Sequence, residues 1–167
     1  MWQVPIKYYS EWASAEREEG KESSPKIFYG NSFAAGIDIP FYDPELEEVT
    51  IHPGKRVALK TGVYLEMPGT VFGFLDSRSS TSKLLLDLLC RTIDPDFRGN
   101  MRLVVTNVSE EPVTIKRGEY LFQMILLPRI QGILEPVDSV DELSSTERAD
   151  KGFGSTGNSQ VAGGDKQ

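Results

Sequence analysis

Residues 49 to 69 read VTIHPGKRVALKTGVYLEMPG. In Val49-Thr50-Ile51 and again in Val57-Ala58-Leu59 an apolar side chain recurs at every second position, the period of a strand with one face on a core. His52-Pro53-Gly54-Lys55 joins the two runs as a turn, because proline presets φ and glycine tolerates a positive one. Glu66-Met67-Pro68-Gly69 marks a second turn. The same rhythm extends outward to IDIPFYDP (37–44), VFGFLD (71–76) and MRLVVTNVSEEPVTIKRGEYLFQMILLP (101–128), where NVSEEP (107–112) separates two β-branched runs. No helical apolar period persists between residues 48 and 135. Short strands at this spacing predict an antiparallel all-β domain. KLLLDLLC (83–90) fits either a helical turn or buried strands, and periodicity alone does not decide.

The flanks differ in composition. SEWASAEREEGKESS (10–24) has few large apolar residues and reads as a short surface helix or a mobile acidic loop. After Pro136 the chain turns to Asp, Ser, Glu and Gly. The expected organisation is an acidic extension over 1–26, a β domain over 27–136 and a flexible arm over 137–167. A length of 167 residues with 39% hydrophobic and 26% charged residues suits one core.

Composition excludes several functions. The sequence contains no run of about 18 apolar residues, and its start, MWQVPIKYYSEW, lacks a basic and then apolar leader, so a cytoplasmic protein without membrane contact is expected. With Cys90 the only cysteine and His52 the only histidine, an intrachain disulfide and a multi-cysteine zinc site are ruled out. A histidine-dependent triad would have to be built on His52, which the turn already accounts for. The net charge is −7, but residues 1–50 carry 4 Lys+Arg against 10 Asp+Glu, while 51–167 carry 14 against 15. Without a basic stripe, nucleic acid is not an expected partner, although a local basic pocket for a small phosphate ligand remains open.

KGFGSTGN (151–158) contains the G-x-G-x-x-G pattern of a dinucleotide turn, but Gly157 stands ten residues from the end of the sequence. That leaves no room for the following helix, strand and ribose-binding acid. Arg148, Lys151, Ser155 and Thr156 surround Phe153 and three glycines, a composition suited to a lid over a nucleotide. Glycines let backbone amides approach an anion, hydroxyls donate to it, and the ring stacks on a base.

RADKGFGSTG (148–157) resembles the fifth motif of the trimeric dUTP pyrophosphatases, or dUTPases. Four further motifs stand upstream in that family's order: AAGIDI (34–39), SRSS (77–80), TIDPDFRGNM (92–101) and RGEYLFQMIL (117–126). The resemblance covers roughly residues 27–157. It implies a jelly-roll β-sandwich or distorted barrel, assembled as a homotrimer with sites at subunit interfaces, hydrolysing dUTP to dUMP and pyrophosphate with Mg²⁺. Asp94 matches the base that activates water. Arg78, Ser79, Ser80 and Gln123 match phosphate-binding positions, and Arg148, Ser155 and Thr156 would close over the phosphates with Gly154. Phe97 would lie beneath the deoxyribose and exclude a 2′-hydroxyl, while Phe153 stacks on uracil. Asp38 is assigned to the site through water and Mg²⁺ or by orienting Arg78, the metal being held mainly by phosphate oxygens and water.

The sequence departs from the family in two places. Ser77 and Ser80 replace the usual Pro and Gly, and Cys90-Arg91-Thr92-Ile93, assigned to the uracil-binding hairpin, end a shortened segment lacking the usual glycine. The related dCTP deaminases need a glutamate ten residues after the aspartate, where this chain has Val104, which carries no proton. A regulatory protein on the same scaffold, with the extension or residues 84–92 binding a protein partner, is the other alternative.

Overall fold

The computed structural model describes residues 3–23 and 26–146. The chain divides into two units, 1–130 and 131–167. The first unit runs β1 (Lys7–Ser10), α1 (Glu11–Glu18), β2 (Phe28–Tyr29), β3 (Gly36–Pro40), β4 (Glu48–Ile51), β5 (Arg56–Lys60), β6 (Val63–Glu66), β7 (Val71–Ser77), β8 (Leu86–Leu88), β9 (Thr92–Ile93), β10 (Arg102–Asn107), β11 (Val113–Lys116) and β12 (Tyr120–Pro128). Every strand pair is antiparallel. One sheet has the order β2-β3-β12-β7-β9 and another β5-β10-β8, with two-stranded pairs β11-β4 and β1-β6. This is the expected all-β jelly-roll-type fold.

The alternation read from the sequence is what closes the core. Val71, Gly73 and Leu75 of β7 point inward, as do Leu103, Val105 and Asn107 of β10. Val71, Leu75, Leu103 and Val105 meet Ile39, Phe41, Leu59, Phe122 and Met124 in one apolar cluster. The His52–Lys55 turn forms, with the Lys55 amide donating to the His52 carbonyl at 3.0 Å and Gly54 at φ +69°. It hands the chain from one strand pair to another, since β4 pairs with β11 and β5 with β10. Fully buried Asn107 pins this corner by donating its side-chain amide to the Ile51 and Glu111 carbonyls, each at 2.8 Å; a buried amide is tolerated there because it is paired. The second turn closes slightly later than the sequence suggests, with the Val71 amide on the Pro68 carbonyl at 3.1 Å.

Residues 83–90 combine both readings. A 3₁₀ turn over Thr81–Leu84 leads into strand β8, where Leu86 and Leu88 are buried and Asp87 is exposed. Between them Leu85 takes a left-handed conformation, φ +50°, which costs a residue with a side chain roughly 1–2 kcal/mol.

Within 10–24 the structure has a helix. Ser10 caps α1 by accepting from the Ala13 amide at 3.3 Å, with Glu11 in the first turn and Arg17 in the last, as the helix dipole favours. The helix buries Ala13 and stacks Trp12 on Tyr42, rings 5.6 Å apart and 7° from parallel. Lys26, 6% exposed, is neutralised by Glu16 at 2.7 Å and lies 4.3 Å from the centre of the Trp12 ring. Among the described residues no helix is long and apolar enough to cross a membrane. In the second unit a 3₁₀ turn, Val140–Glu142, starts on a capping box between Ser139 and Glu142.

Candidate active site

The motif residues gather in two groups, one at each end of strand β7. At its carboxyl end the motif residues Asp38, Arg78 and Gln123 come together. Gln123 on β12 lies directly opposite Asp38 on β3 and Asp76 on β7. Buried Asp38 receives Arg78 Nε at 3.1 Å. The Gln123 amide donates to the Ser77 carbonyl at 3.2 Å, which answers the need for a partner inside an apolar run. Gly36 makes that position possible, since a Cβ there would overlap Gln123 Oε1 and come within 2.9 Å of its Cβ.

A β-bulge completes the clamp. The register of β12 against β3 shifts between Tyr120 and Phe122, so the extra residue, Leu121, is released from the ladder. Its carbonyl accepts from the Arg78 backbone amide at 3.3 Å and from the Thr81 hydroxyl. The neighbouring Tyr120 carbonyl accepts from Arg78 Nη1 at 2.8 Å. Arg78 is therefore held at backbone and side chain while its guanidinium stays 35% exposed. Ser79 and Ser80 are exposed at the loop tip, where the Ser82 hydroxyl donates to the Ser79 carbonyl at 2.7 Å. Burial pushes the Tyr120 phenol up, with the Asp38 and Glu16 charges adding to the effect.

At the other end of β7 a cleft of about 260 Å³ is lined by Cys90, Thr92, Ile93, Asp94 and Phe97. Asp94 to Phe97 form the expected β-turn, the Phe97 amide donating to the Asp94 carbonyl at 3.1 Å. The Phe97 ring, 44% exposed, lies against Gly99, where a Cβ would sit 2.7 Å from its tip. Arg91 instead turns to Asp76 at 2.9 Å. β8 and β9 belong to different sheets, so the segment between them is not a self-paired hairpin. Asn100, Arg102 and Val104 also line the cleft, and the sequence reading assigned none of the three to it as a binding residue. The alternation of β10 is the signal that could have placed two of them, because Arg102 and Val104 share the face opposite buried Leu103 and Val105.

The two halves are apart within one chain. Ile93 is opposite Gly73, and from Gly73 to Arg78 the chain advances about 17 Å at ~3.3 Å per residue. Arg148, Phe153, Gly154, Ser155 and Thr156 lie outside the described residues.

A family model for dUTPase matches residues 23–157. The chain belongs to the dUTPase family. Its five motifs all fall inside the matched region, whereas β1 and α1 precede it. A deoxyuridine 5'-triphosphate nucleotidohydrolase of Caldanaerobacter subterraneus is 37% identical over 146 residues, covering 85% of this dUTPase and 95% of its relative. That of Escherichia phage T5 is 36% identical over 138 residues, covering 80% and 90%. Among solved structures, a G164S mutant of the Staphylococcus bacteriophage 80alpha dUTPase with dUpNHpp shares the fold, with a TM-score of 0.71 at 22% identity over 95% of this chain and 100% of that one.

Among the described residues no three His, Cys, Asp or Glu side chains converge on a point that would hold a metal. The ionic contact of Asp38 is with Arg78.

Proposed function

We propose that this dUTPase hydrolyses dUTP to dUMP and pyrophosphate, with Asp94 as the general base. Asp94 takes a proton from a water whose oxygen attacks the α-phosphorus. The bond from that phosphorus to the bridging oxygen of the β-phosphate breaks, and pyrophosphate leaves. Arg78 and Gln123, with Ser79 and Ser80, meet the charge that grows on the phosphate oxygens, a role preorganised donors perform without reorganisation cost. Mg²⁺ carried by the triphosphate supplies further neutralisation of that charge. Phe97 packs under the deoxyribose where a 2′-hydroxyl would clash, and residues 90–93 face the base. Arg148, Phe153, Gly154, Ser155 and Thr156 close the site from the arm. Limiting dUTP, and with it uracil in DNA, follows from the activity.

The observation that carries this reading is the split along β7. Asp94 and Phe97 face one cleft, Arg78 is held ready at the far end of the strand, and both lie within the family match. A site needing both ends is complete when the Asp94 end of one copy meets the Arg78 end of another, which supports the homotrimer. Val104, lining the cleft with an aliphatic side chain, supports a hydrolase over a deaminase.

The test is pyrophosphate release from dUTP, with UTP, dTTP and dCTP alongside, in Mg²⁺ and then in chelator. Mg²⁺-dependent release from dUTP alone is expected. Equal release from dTTP or dCTP would overturn the assignment of 90–93 to base recognition, and no release from folded trimer would overturn the hydrolase.

A further inference from the structure

The residue that holds Arg78 by its carbonyl, Tyr120, packs against Trp12, which precedes the family match. The Tyr120 carbonyl that accepts from Arg78 Nη1 belongs to a residue whose side chain is fixed from three directions. Its ring lies 5.2 Å from Phe28 and 6.5 Å from Trp12, and its hydroxyl donates to the Lys26 carbonyl at 3.1 Å. Trp12 also lies over the turn that delivers Tyr120 into β12. At Gly118, φ +89°, a Cβ would approach the indole to 3.1 Å. The indole is itself fixed by stacking on Tyr42 and by the buried Lys26 ammonium, which Glu16 neutralises. A bulged backbone has fewer ladder bonds to hold it than a regular strand. At Tyr120 this aromatic packing adds restraint beside the bulge.

We propose that Trp12 is a positioning residue for turnover: acting through Tyr120 and the bulge of β12, it fixes the carbonyl that aims the Arg78 guanidinium. The acidic extension is then part of the catalytic apparatus of this chain, although it touches no reacting atom. This rests on the reading of Arg78 as a phosphate-binding group. Removing the indole lets Tyr120 and its carbonyl shift, and a displaced guanidinium no longer meets the transition-state charge.

A double-mutant cycle of Trp12→Ala with Arg78→Ala, in the full chain, tests it. Trp12→Ala alone is expected to lower kcat/KM for dUTP by about ten- to a hundredfold, the scale on which small misplacements act. In the Arg78→Ala background it is expected to have almost no further effect, and Trp12→Phe is expected to restore most of the activity. A loss of the same factor in both backgrounds, or a drop in Tm with kcat/KM unchanged, would make Trp12 a structural anchor only and overturn the proposal. Should Trp12→Ala not fold, Trp12→Leu keeps the apolar anchor without the ring and enters the cycle in its place. Absence of dUTP turnover by the unaltered protein would overturn the functional reading instead. Pyrophosphate binding, compared across the same four proteins by calorimetry, then reads the clamp independently, and additive losses there would sink it.

Discussion

The two ends of β7 are built differently. At the Arg78 end, a buried carboxylate, two bulge carbonyls and a facing amide tie the functional side chains down before any ligand arrives. At the Asp94 end, Asp94 and Phe97 stand exposed on a short turn above an open cleft. Charge recognition needs preorganisation, because a guanidinium free to reorient would have to be ordered during reaction. On the function proposed above, Asp94 and the Phe97 ring are left open for substrate and a second copy of the chain to complete. Substitutions at the first end are therefore expected to move stability and activity together, and those at the second end activity alone.

The largest expected effect tests the second half of that statement. Asp94→Asn is expected to cut dUTP turnover by about a thousandfold, within the usual range for loss of a general base, with Tm and trimer mass unchanged. A matching fall in Tm would break the comparison, because Asp94 would then be holding the fold. Next comes Gly36→Ala at the tied end. Overpacking commonly costs ~1–3 kcal/mol, so a loss of about 2 kcal/mol in urea unfolding is expected together with a fall in kcat/KM as Gln123 is displaced. Loss of one without the other would separate what the structure joins.

Leu85→Gly gives a smaller and opposite effect. Glycine relieves the left-handed strain but adds backbone entropy to the unfolded chain, leaving a gain of about 0.5 kcal/mol. Turnover is expected to stay unchanged, because Leu85 lies in neither half of the site.

The smallest effect is pH-dependent. The hydrogen bond from Lys26 holds the Glu16 carboxyl below its ordinary 4.5. A carboxylate depressed on folding stabilises the folded state fully above its unfolded value and loses that contribution as pH falls through the folded one. Trp12 fluorescence, in a Trp2→Phe background, is expected to change as pH drops below about 4.5. A transition centred above that pH would assign the coupling to another group.

The β architecture was legible because its signal is local. Alternation in 49–59 and the Pro-Gly turns reflect the burial of each strand, and they survive into the structure with boundaries displaced by a residue or two. The motifs named the residues of the Arg78 end for the same reason. Trp12 was not legible as part of that end, because its partners Tyr42, Tyr120 and Lys26 are distant in sequence and the surrounding Glu and Arg mask its buried face. Nor does any pattern announce the bulge at Leu121, which arises from how β12 must register against β3. Arg91 was grouped with the base-binding segment by position, and only the fold shows its guanidinium pairing with Asp76.

Cys90 is the chain's only cysteine; it is exposed, and it lines the cleft. A thiol-reactive dye therefore has one cysteine in this chain to attach to, at the cleft proposed above for the nucleotide. In the proposed homotrimer that gives three labels, and their protection by added nucleotide would count filled sites directly. A feature that adds little to the fold thus gives the protein a built-in reporter of its own occupancy.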